Sequence, residues 1–207
     1  FDHAKQELLP FSPDYVFLTK SPVPYDPDAQ SPVILNPDDG TSWELEEWMA
    51  DLSDDEGVPE LLWEVVSATL RPDVRWDKAA FLHSSRGNNG KGTYCQLLRE
   101  LVGPAGHASI PIASFSKPFA LTALTHARAI ITDENGVGAF AQDLSDFKSV
   151  VTGDAFMLDR KHKDPITARF SGMVVQCVND FPKSRDKSAS YTRRQLFVPF
   201  RKWFGGA

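Results

Sequence analysis

The sequence predicts an α/β fold in which a mainly parallel β-sheet is flanked by helices. Short apolar runs, each long enough for one buried strand, alternate with segments whose apolar residues recur at helical spacing. Polar residues follow closely on three of these runs, after Leu82, Thr132 and Val178. Strands that are apolar on both faces are typical of a parallel sheet covered by helices on both sides.

Length and composition bound the class of protein. The 207 residues suffice for one sizeable domain or for one domain with an appendage, and a hydrophobic content of 42% fits a packed core. No run approaches the ~20 apolar residues of a membrane span, and no signal peptide opens the chain, so we expect a cytoplasmic protein without membrane contact. Cys95 and Cys177 lie inside apolar patterns and indicate small core residues rather than a disulfide or a metal set.

Charge is distributed unevenly along the chain. Residues 1–60 carry 15 acidic and 2 basic residues, whereas residues 61–207 carry 13 acidic and 20 basic residues. Although the net charge of the chain is −6, residues 61–207 are therefore basic. This asymmetry indicates either an acidic partner such as nucleic acid for the rear portion or simply a solvated acidic face at the front.

Two parts are predicted along the chain. Residues 1–75 form a proline-rich extended segment, with one short strand near 15–18, and an acidic helical prelude. The prelude has one helix that begins at 41 or 42 and ends at 52, and a second helix over 58–71. Residues 76–207 form the α/β domain.

A glycine-rich stretch follows the first strand of this domain and precedes an amphipathic helix. Strand, glycine-rich turn and helix are the context of a phosphate-binding loop, because glycines let several N–H groups point at one anion and the helix adds its positive dipole end. Lys91 would meet the terminal phosphates of a nucleotide as a point charge. The residues predicted to hold the nucleotide are Gly87, Asn88, Asn89, Gly90, Lys91, Gly92 and Thr93.

Acidic and amide side chains stand at the predicted ends of two further strands. Asp133 can hold Mg²⁺ beside the hydroxyl of Thr93, and Glu134 can accept a proton from an attacking water. Asn179 can bind a phosphate oxygen or that water, although an asparagine before Phe181 and a proline is also typical of a turn. Ligands of parallel sheets bind at the carboxyl ends of the strands, so we expect these side chains to share one cleft with the loop.

Two basic clusters complete the candidate residues. Arg193 and Arg194 precede the last strand, where a guanidinium could stabilise a transferring phosphoryl group from a neighbouring subunit or form surface ion pairs. The other cluster occupies a predicted hairpin tip that suits a nucleic-acid backbone or is merely solvated. Its members are Arg160, Lys161, His162 and Lys163.

These motifs together resemble a superfamily 3 helicase of the AAA+ type, in the branch of phage and plasmid primase–helicases related to the poxvirus primase–helicase. The resemblance covers roughly residues 76–200 and rests on motifs that occur in the same order and within about one hundred residues, as in that family. They are Asn-Asn-Gly-Lys-Gly-Thr, Ile-Ile-Thr-Asp-Glu, Phe-Lys-Ser-Val-Val-Thr-Gly-Asp with the basic hairpin, Val-Val-Gln-Cys-Val-Asn-Asp-Phe-Pro, and Arg-Arg before Val-Pro-Phe.

The resemblance implies a P-loop AAA+-type core that binds ATP and Mg²⁺, forms a homo-oligomer, usually a hexamer, and moves along single-stranded or forked DNA in a bacterial host. It implies that Lys91 and Thr93 are the phosphate-loop pair, that Asp133 and Glu134 are metal ligand and base, and that Asn179 senses phosphate. Arg193 or Arg194 would reach the next subunit's ATP, and the hairpin would grip DNA. Family members usually carry an upstream primase or polymerase module.

Two departures from the phosphate-loop pattern concern the metal ligand. Ser85 stands where the first glycine is usual, and Gly92 occupies the common hydroxyl position, which displaces the hydroxyl to Thr93. Two other functions fit the loop alone, a nucleotide or small-molecule kinase and a nucleotide-binding assembly module without turnover. The basic hairpin favours a DNA-dependent motor over the kinase, and Glu134 favours turnover over the assembly module.

Overall fold

Five parallel strands form the central sheet of the structure, a computed structural model that describes residues 1–2, 5–15, 20–72, 74–136 and 140–205. The strands are β1 (Val33–Leu35), β2 (Ser42–Glu44), β3 (Ala79–His83), β4 (His107–Ala108), β5 (Ala129–Thr132), β6 (Phe140–Ala141), β7 (Phe156–Arg160), β8 (Lys163–Ala168), β9 (Met173–Val178), β10 (Lys183–Ser184) and β11 (Gln195–Pro199). The α-helices are α1 (Leu45–Asp51), α2 (Val58–Leu70), α3 (Lys91–Val102), α4 (Ser145–Thr152) and α5 (Ala189–Thr192).

The order of the central strands is β11-β3-β9-β5-β4. All four pairings are parallel, so the carboxyl ends of β3, β9 and β5 lie side by side at one edge. The chain leaves β3 toward one side of the sheet, returns through β5 and β9, and ends on the other side in β11. Strand order thus reverses at β3, which is where parallel sheets open a crevice for ligands.

Alternate residues of each central strand point into two separate hydrophobic clusters. In β3, Phe81 packs with Phe147 of α4 and Phe115 on one face, whereas Leu82 packs with Leu98 of α3 on the other. Helices α1 and α2 belong to the same cluster as α3. The predicted α/β class with a mainly parallel sheet covered on both faces is therefore confirmed.

The acidic front of the chain contacts its basic end. Lys202 forms ion pairs with Asp51 and, at 3.5 Å, with Asp54, and an Arg201 nitrogen lies 2.7 Å from Asp55 Oδ1. These contacts hold the loop between α1 and α2 against the segment after β11. Part of the charge asymmetry is therefore neutralised within the chain itself.

The helical prelude differs from its prediction at one end. Residues 42–44 do not begin the first helix, because they pair as β2 with β1 in an antiparallel hairpin. Helix α1 begins only at Leu45, where Glu44 and Glu47 form a reciprocal cap. The second predicted helix is confirmed as α2, and residues 16–18 of the predicted N-terminal strand lie outside the described residues.

The later elements include the predicted hairpin. Before it, helix α4 begins at Ser145 and ends before Gly153, which is in the left-handed conformation. The two strands around the charged tip are β7 and β8, and residues 105–126 hold β4 and two short 3₁₀ turns, Ile112–Ser114 and Thr122–Thr125. Among the described residues, no helix is long and apolar enough to cross a membrane.

We expect Phe147→Ala to lower the free energy of unfolding by about 3–5 kcal/mol, because the side chain is fully buried and contacts the rings of Phe81, Phe115 and Tyr191. Urea unfolding followed by circular dichroism measures the change. The matched control is Phe11→Ala, since Phe11 is 91% exposed, and it should leave stability within about 0.5 kcal/mol. Equal stability of the two variants would contradict the core described above.

Candidate active site

The loop between β3 and α3 is shaped by its own side chains. The backbone N–H of Arg86 donates to Ser84 Oγ at 3.3 Å, and the buried Asn89 accepts from the backbone N–H of Lys91 at 3.2 Å. Asn88 and Gly90 have φ values of 50° and 84°, in the left-handed region. At Gly90 the left-handed backbone favours glycine, and a Cβ there would also lie 2.5 Å from Leu52 Cδ2, so that side chain would have to move.

The Lys91 side chain joins the loop to the end of β9. Its Nζ donates to Asn179 Oδ1 at 3.0 Å, to the Val178 carbonyl at 3.3 Å and to the Ser84 carbonyl at 3.4 Å. Lys91 is only 7% exposed, and burial lowers the pKa of its amine. All three hydrogen-bond acceptors are neutral, so an anion placed at this amine would supply the missing negative charge.

Asp133 lies at the end of β5, the strand next to β9. Its carboxylate is half exposed and lies 2.5 Å from a guanidinium nitrogen of Arg99 on α3. It is also within 4.8 Å of the thiols of Cys95 and Cys177. Cys177 is two residues before Asn179, so the carboxylate and the lysine both lie near the end of β9.

The two thiols under this edge contact each other. The Sγ atoms of Cys95 and Cys177 lie 3.4 Å apart, and both residues are buried. Their hydrogen bond raises the pKa of Cys95 and lowers that of Cys177, and the nearby Lys91 amine lowers the latter further. Two polarisable groups therefore lie beneath this edge of the sheet.

The remaining predicted loop and acid residues lie at the surface of this edge. Thr93 is two residues beyond Lys91 in α3, so it projects from a different side of the helix, and it is exposed. Glu134 is exposed beside Asp133. Gly87, Asn88 and Gly92 are exposed as well, which leaves the front of the loop open to a ligand.

A buried polar network behind Asp133 was not predicted. The Asn135 side-chain amide donates to Gln176 Oε1 at 3.0 Å and to the Cys177 carbonyl at 2.9 Å, and its oxygen accepts from the Ile112 N–H at 2.8 Å. Gln176 in turn donates to Thr132 Oγ1 at 3.3 Å. This network fixes the turn after β5 against β9, and the polar Gln176 inside an apolar strand was the signal for it.

A cleft on the other side of the loop was also not predicted. His83 and Phe181 stack with ring centroids 4.7 Å apart at an interplanar angle of 12°. Together with Arg86 and Arg201 they line a cleft of about 360 Å³ between the ends of β3 and β11. Its flat rings and cations suit a planar or anionic ligand.

The basic hairpin of β7 and β8 presents its cations to solvent. Arg160 pairs with Lys163 across a two-residue turn, in which His162 has a φ of 58°. Lys161, His162 and Lys163 are exposed, whereas the Arg160 guanidinium donates to the Asp164 carbonyl at 2.8 and 3.0 Å. Three of the four predicted residues are therefore directed outward, and Arg160 braces the turn.

The two arginines before β11 lie at the opposite edge of the sheet from the loop. Arg194 is 8% exposed, and its guanidinium donates to Ser190 Oγ at 2.8 Å. Arg193 is exposed, and its backbone carbonyl accepts from Lys78 Nζ at 2.6 Å. Because β11 alone spans about 16 Å, neither side chain joins the cluster around Lys91.

Solved structures with a similar fold include two apo forms of the C-terminal region of NrS-1. The A form is 15% identical, with a TM-score of 0.55 over 76% of this chain and 37% of that chain. The other is 13% identical, with a TM-score of 0.54 over 85% of this chain and 46% of that chain. The present chain thus spans less than half of each NrS-1 chain, and at this identity the likeness concerns the fold alone.

A JCV helicase bound to a thiazolopyridine-containing acetamide is 19% identical, with a TM-score of 0.49 over 76% of this chain and 46% of that chain. No curated protein sequence matches the chain. One family model does match, over residues 82–194, which extend from the end of β3 to the start of β11. This match covers more than half of the sequence, and the chain therefore belongs to the family described as "Family of unknown function (DUF5906)".

Proposed function

We propose that this chain is the ATPase motor of a DNA helicase or translocase that serves the replication of phage, plasmid or other mobile DNA. The single observation that carries the proposal is the contact between Lys91 and Asn179. It joins the glycine-rich loop to the end of β9 at the point where strand order reverses. A buried amine with only neutral partners at such a point suits the terminal phosphates of a nucleotide.

Each residue of the edge then has a role in hydrolysis. Backbone N–H groups of the loop and the Lys91 amine hold the phosphates, and Asn179 orients the terminal phosphate or the attacking water. Glu134, exposed beside the cleft, accepts a proton from that water. The cleft lined by His83 and Phe181 has room for the nucleoside portion.

Asp133 would hold Mg²⁺, since carboxylate oxygens are donors that this cation prefers, whereas the predicted second ligand, Thr93, projects from another side of α3 than Lys91. When bound, Mg²⁺ neutralises charge on the phosphate oxygens. Arg99 competes for the same carboxylate, because its guanidinium nitrogen lies 2.5 Å from Asp133 Oδ2. Arg99 therefore holds the Asp133 side chain in place at the end of β5.

The position of Arg193 supports hydrolysis at interfaces between subunits. Arg193 is exposed at the edge of the sheet that faces away from the loop, so the nucleotide within its reach would belong to another copy of the chain. Arg194 is held by Ser190 and acts as a support for this segment. We accordingly assign the arginine finger to Arg193, in a ring that we expect to be hexameric.

The exposed hairpin cations support single-stranded or forked DNA as the partner. Lys161, His162 and Lys163 form one continuous cationic tip, whereas a kinase would need its basic groups over an acceptor pocket. We further propose that the full-length protein carries a primase or polymerase module upstream and works in the cytoplasm of a bacterial host.

Lys91→Ala should weaken nucleotide binding by about 1.5–3 kcal/mol, or about 10- to 100-fold, since it removes a charged donor to the phosphates. Titration calorimetry with a non-hydrolysable ATP analogue measures the affinity. Lys117→Ala removes an equivalent charge from an exposed site and should bind normally. Retained affinity in Lys91→Ala would remove the phosphate-loop assignment.

Glu134→Gln should bind ATP with unchanged affinity but hydrolyse it about 10²- to 10⁴-fold more slowly, because an amide cannot accept the proton. Phosphate release with and without single-stranded DNA gives the rate. Glu56→Gln, at an exposed position outside the cleft, is the matched control. Turnover that is unchanged in Glu134→Gln would place the base elsewhere.

Lys161→Ala combined with Lys163→Ala should weaken binding to single-stranded DNA and reduce the salt dependence of log Kd by about 1.4, if each lysine meets one phosphate. Fluorescence anisotropy across a salt series measures both quantities. The control pair Lys117→Ala with Lys187→Ala removes the same charge from two other exposed positions. Equal slopes in the two double variants would show that the hairpin is structural.

A further inference from the structure

Three side chains of types that can bind a metal converge from different elements at the carboxyl end of the sheet. Cys95 comes from the second turn of α3, Cys177 from the end of β9 and Asp133 from the turn after β5. The two Sγ atoms lie 3.4 Å apart, and a carboxylate oxygen lies within 4.8 Å of both. The sequence alone had indicated only core cysteines, since they are 82 positions apart.

We propose that Cys95, Cys177 and Asp133 bind Zn²⁺. In a tetrahedral zinc site with Zn–S bonds of about 2.3 Å, two sulfurs lie about 3.8 Å apart, close to the separation found here. Thiolates select zinc over Mg²⁺, which prefers oxygen donors only. Three protein ligands leave a fourth position open for water or a phosphate oxygen.

The carboxylate distinguishes this site from a latent disulfide. A disulfide would need only the two sulfurs, brought to about 2.05 Å, and an oxidant to take two electrons. Zinc binding needs no oxidant, because each thiol gives up one proton and donates a sulfur lone pair to the metal. Asp133 adds a negatively charged oxygen ligand. Because this carboxylate is exposed while the thiols are buried, a metal ion can reach the site from solvent on the Asp133 side.

Arg99 is the internal competitor for this site. Its guanidinium is 17% exposed and lies 2.5 Å from Asp133 Oδ2, so a cation that binds this oxygen displaces it. When zinc has displaced Arg99, Asp133 binds zinc and is no longer available for the Mg²⁺ role proposed above. Zinc should therefore inhibit ATP turnover; this consequence rests on the proposed function, whereas the binding itself does not.

The test is a titration of the full chain, kept reduced with a phosphine, with Co²⁺ as a spectroscopic substitute for zinc. We expect one Co²⁺ per chain, a sulfur-to-cobalt charge-transfer band and loss of that band when Zn²⁺ is added. Cys95→Ala and Cys177→Ala should each lose the band, and Asp133→Asn should weaken binding. Arg99→Ala should tighten it, because the competing guanidinium is gone.

Two controls keep the result interpretable. His126→Ala removes an exposed imidazole and should leave the Co²⁺ titration unchanged, while circular dichroism verifies the fold of each cysteine variant. No band in the wild-type chain, a band that survives Cys177→Ala, or equal affinity in Asp133→Asn would each overturn the site. So would a mass lower by two hydrogens, since that loss marks a disulfide in its place.

The effect on turnover is measured separately. Added Zn²⁺ should inhibit the DNA-stimulated ATPase, and the inhibition should be reversed by a chelator. If the chain shows no ATPase activity at all, the proposed function fails while the Co²⁺ spectrum still decides the metal site. Inhibition that persists in a folded Cys95→Ala variant would contradict inhibition through this site.

Discussion

Burial of the Lys91 ammonium is the constraint on which the arrangement of the active edge depends. A charge removed from water must be compensated, and here three oxygens from the loop and from β9 accept its hydrogen bonds. The amine can reach them only if β3 and β9 are adjacent and end together. Sheet order and the geometry of the glycine-rich loop are therefore parts of one requirement, since either alone would leave the amine without hydrogen-bond acceptors.

The same edge combines hard and soft donors within a few ångströms. The Asp133 carboxylate is exposed, while the thiols of Cys95 and Cys177, within 4.8 Å of it, are buried. Arg99 contacts Oδ2 of this carboxylate, the same side chain that we propose for both Mg²⁺ and Zn²⁺. A nucleotide site built over a thiol pair would in this way respond to a metal other than its own cofactor.

Much of this architecture could be predicted because strands and helices produce recognisable patterns of apolar residues within short stretches of sequence. Continuous apolar runs identified β3, β5 and β9, and the Gly-Lys-Gly stretch before an amphipathic run located the start of α3. Prediction was wrong at Ser42, because the pairing of β2 with β1 overrides a helix-capping preference. The role of Asn135 was missed, since its partners lie about 20 to 40 residues away.

The sequence by itself determined the α/β class, the element that carries the loop, and the polar residues that end each strand, because hydrophobic period and turn chemistry are local properties. Only the tertiary structure decided that Cys95 and Cys177 touch, that Arg99 holds Asp133, and that Arg194 is buried while Arg193 is exposed. These facts depend on strand order and on which helix face meets the sheet. Contacts between segments that are distant in sequence determine the strand order and the helix face, and these contacts cannot be predicted from short stretches of sequence.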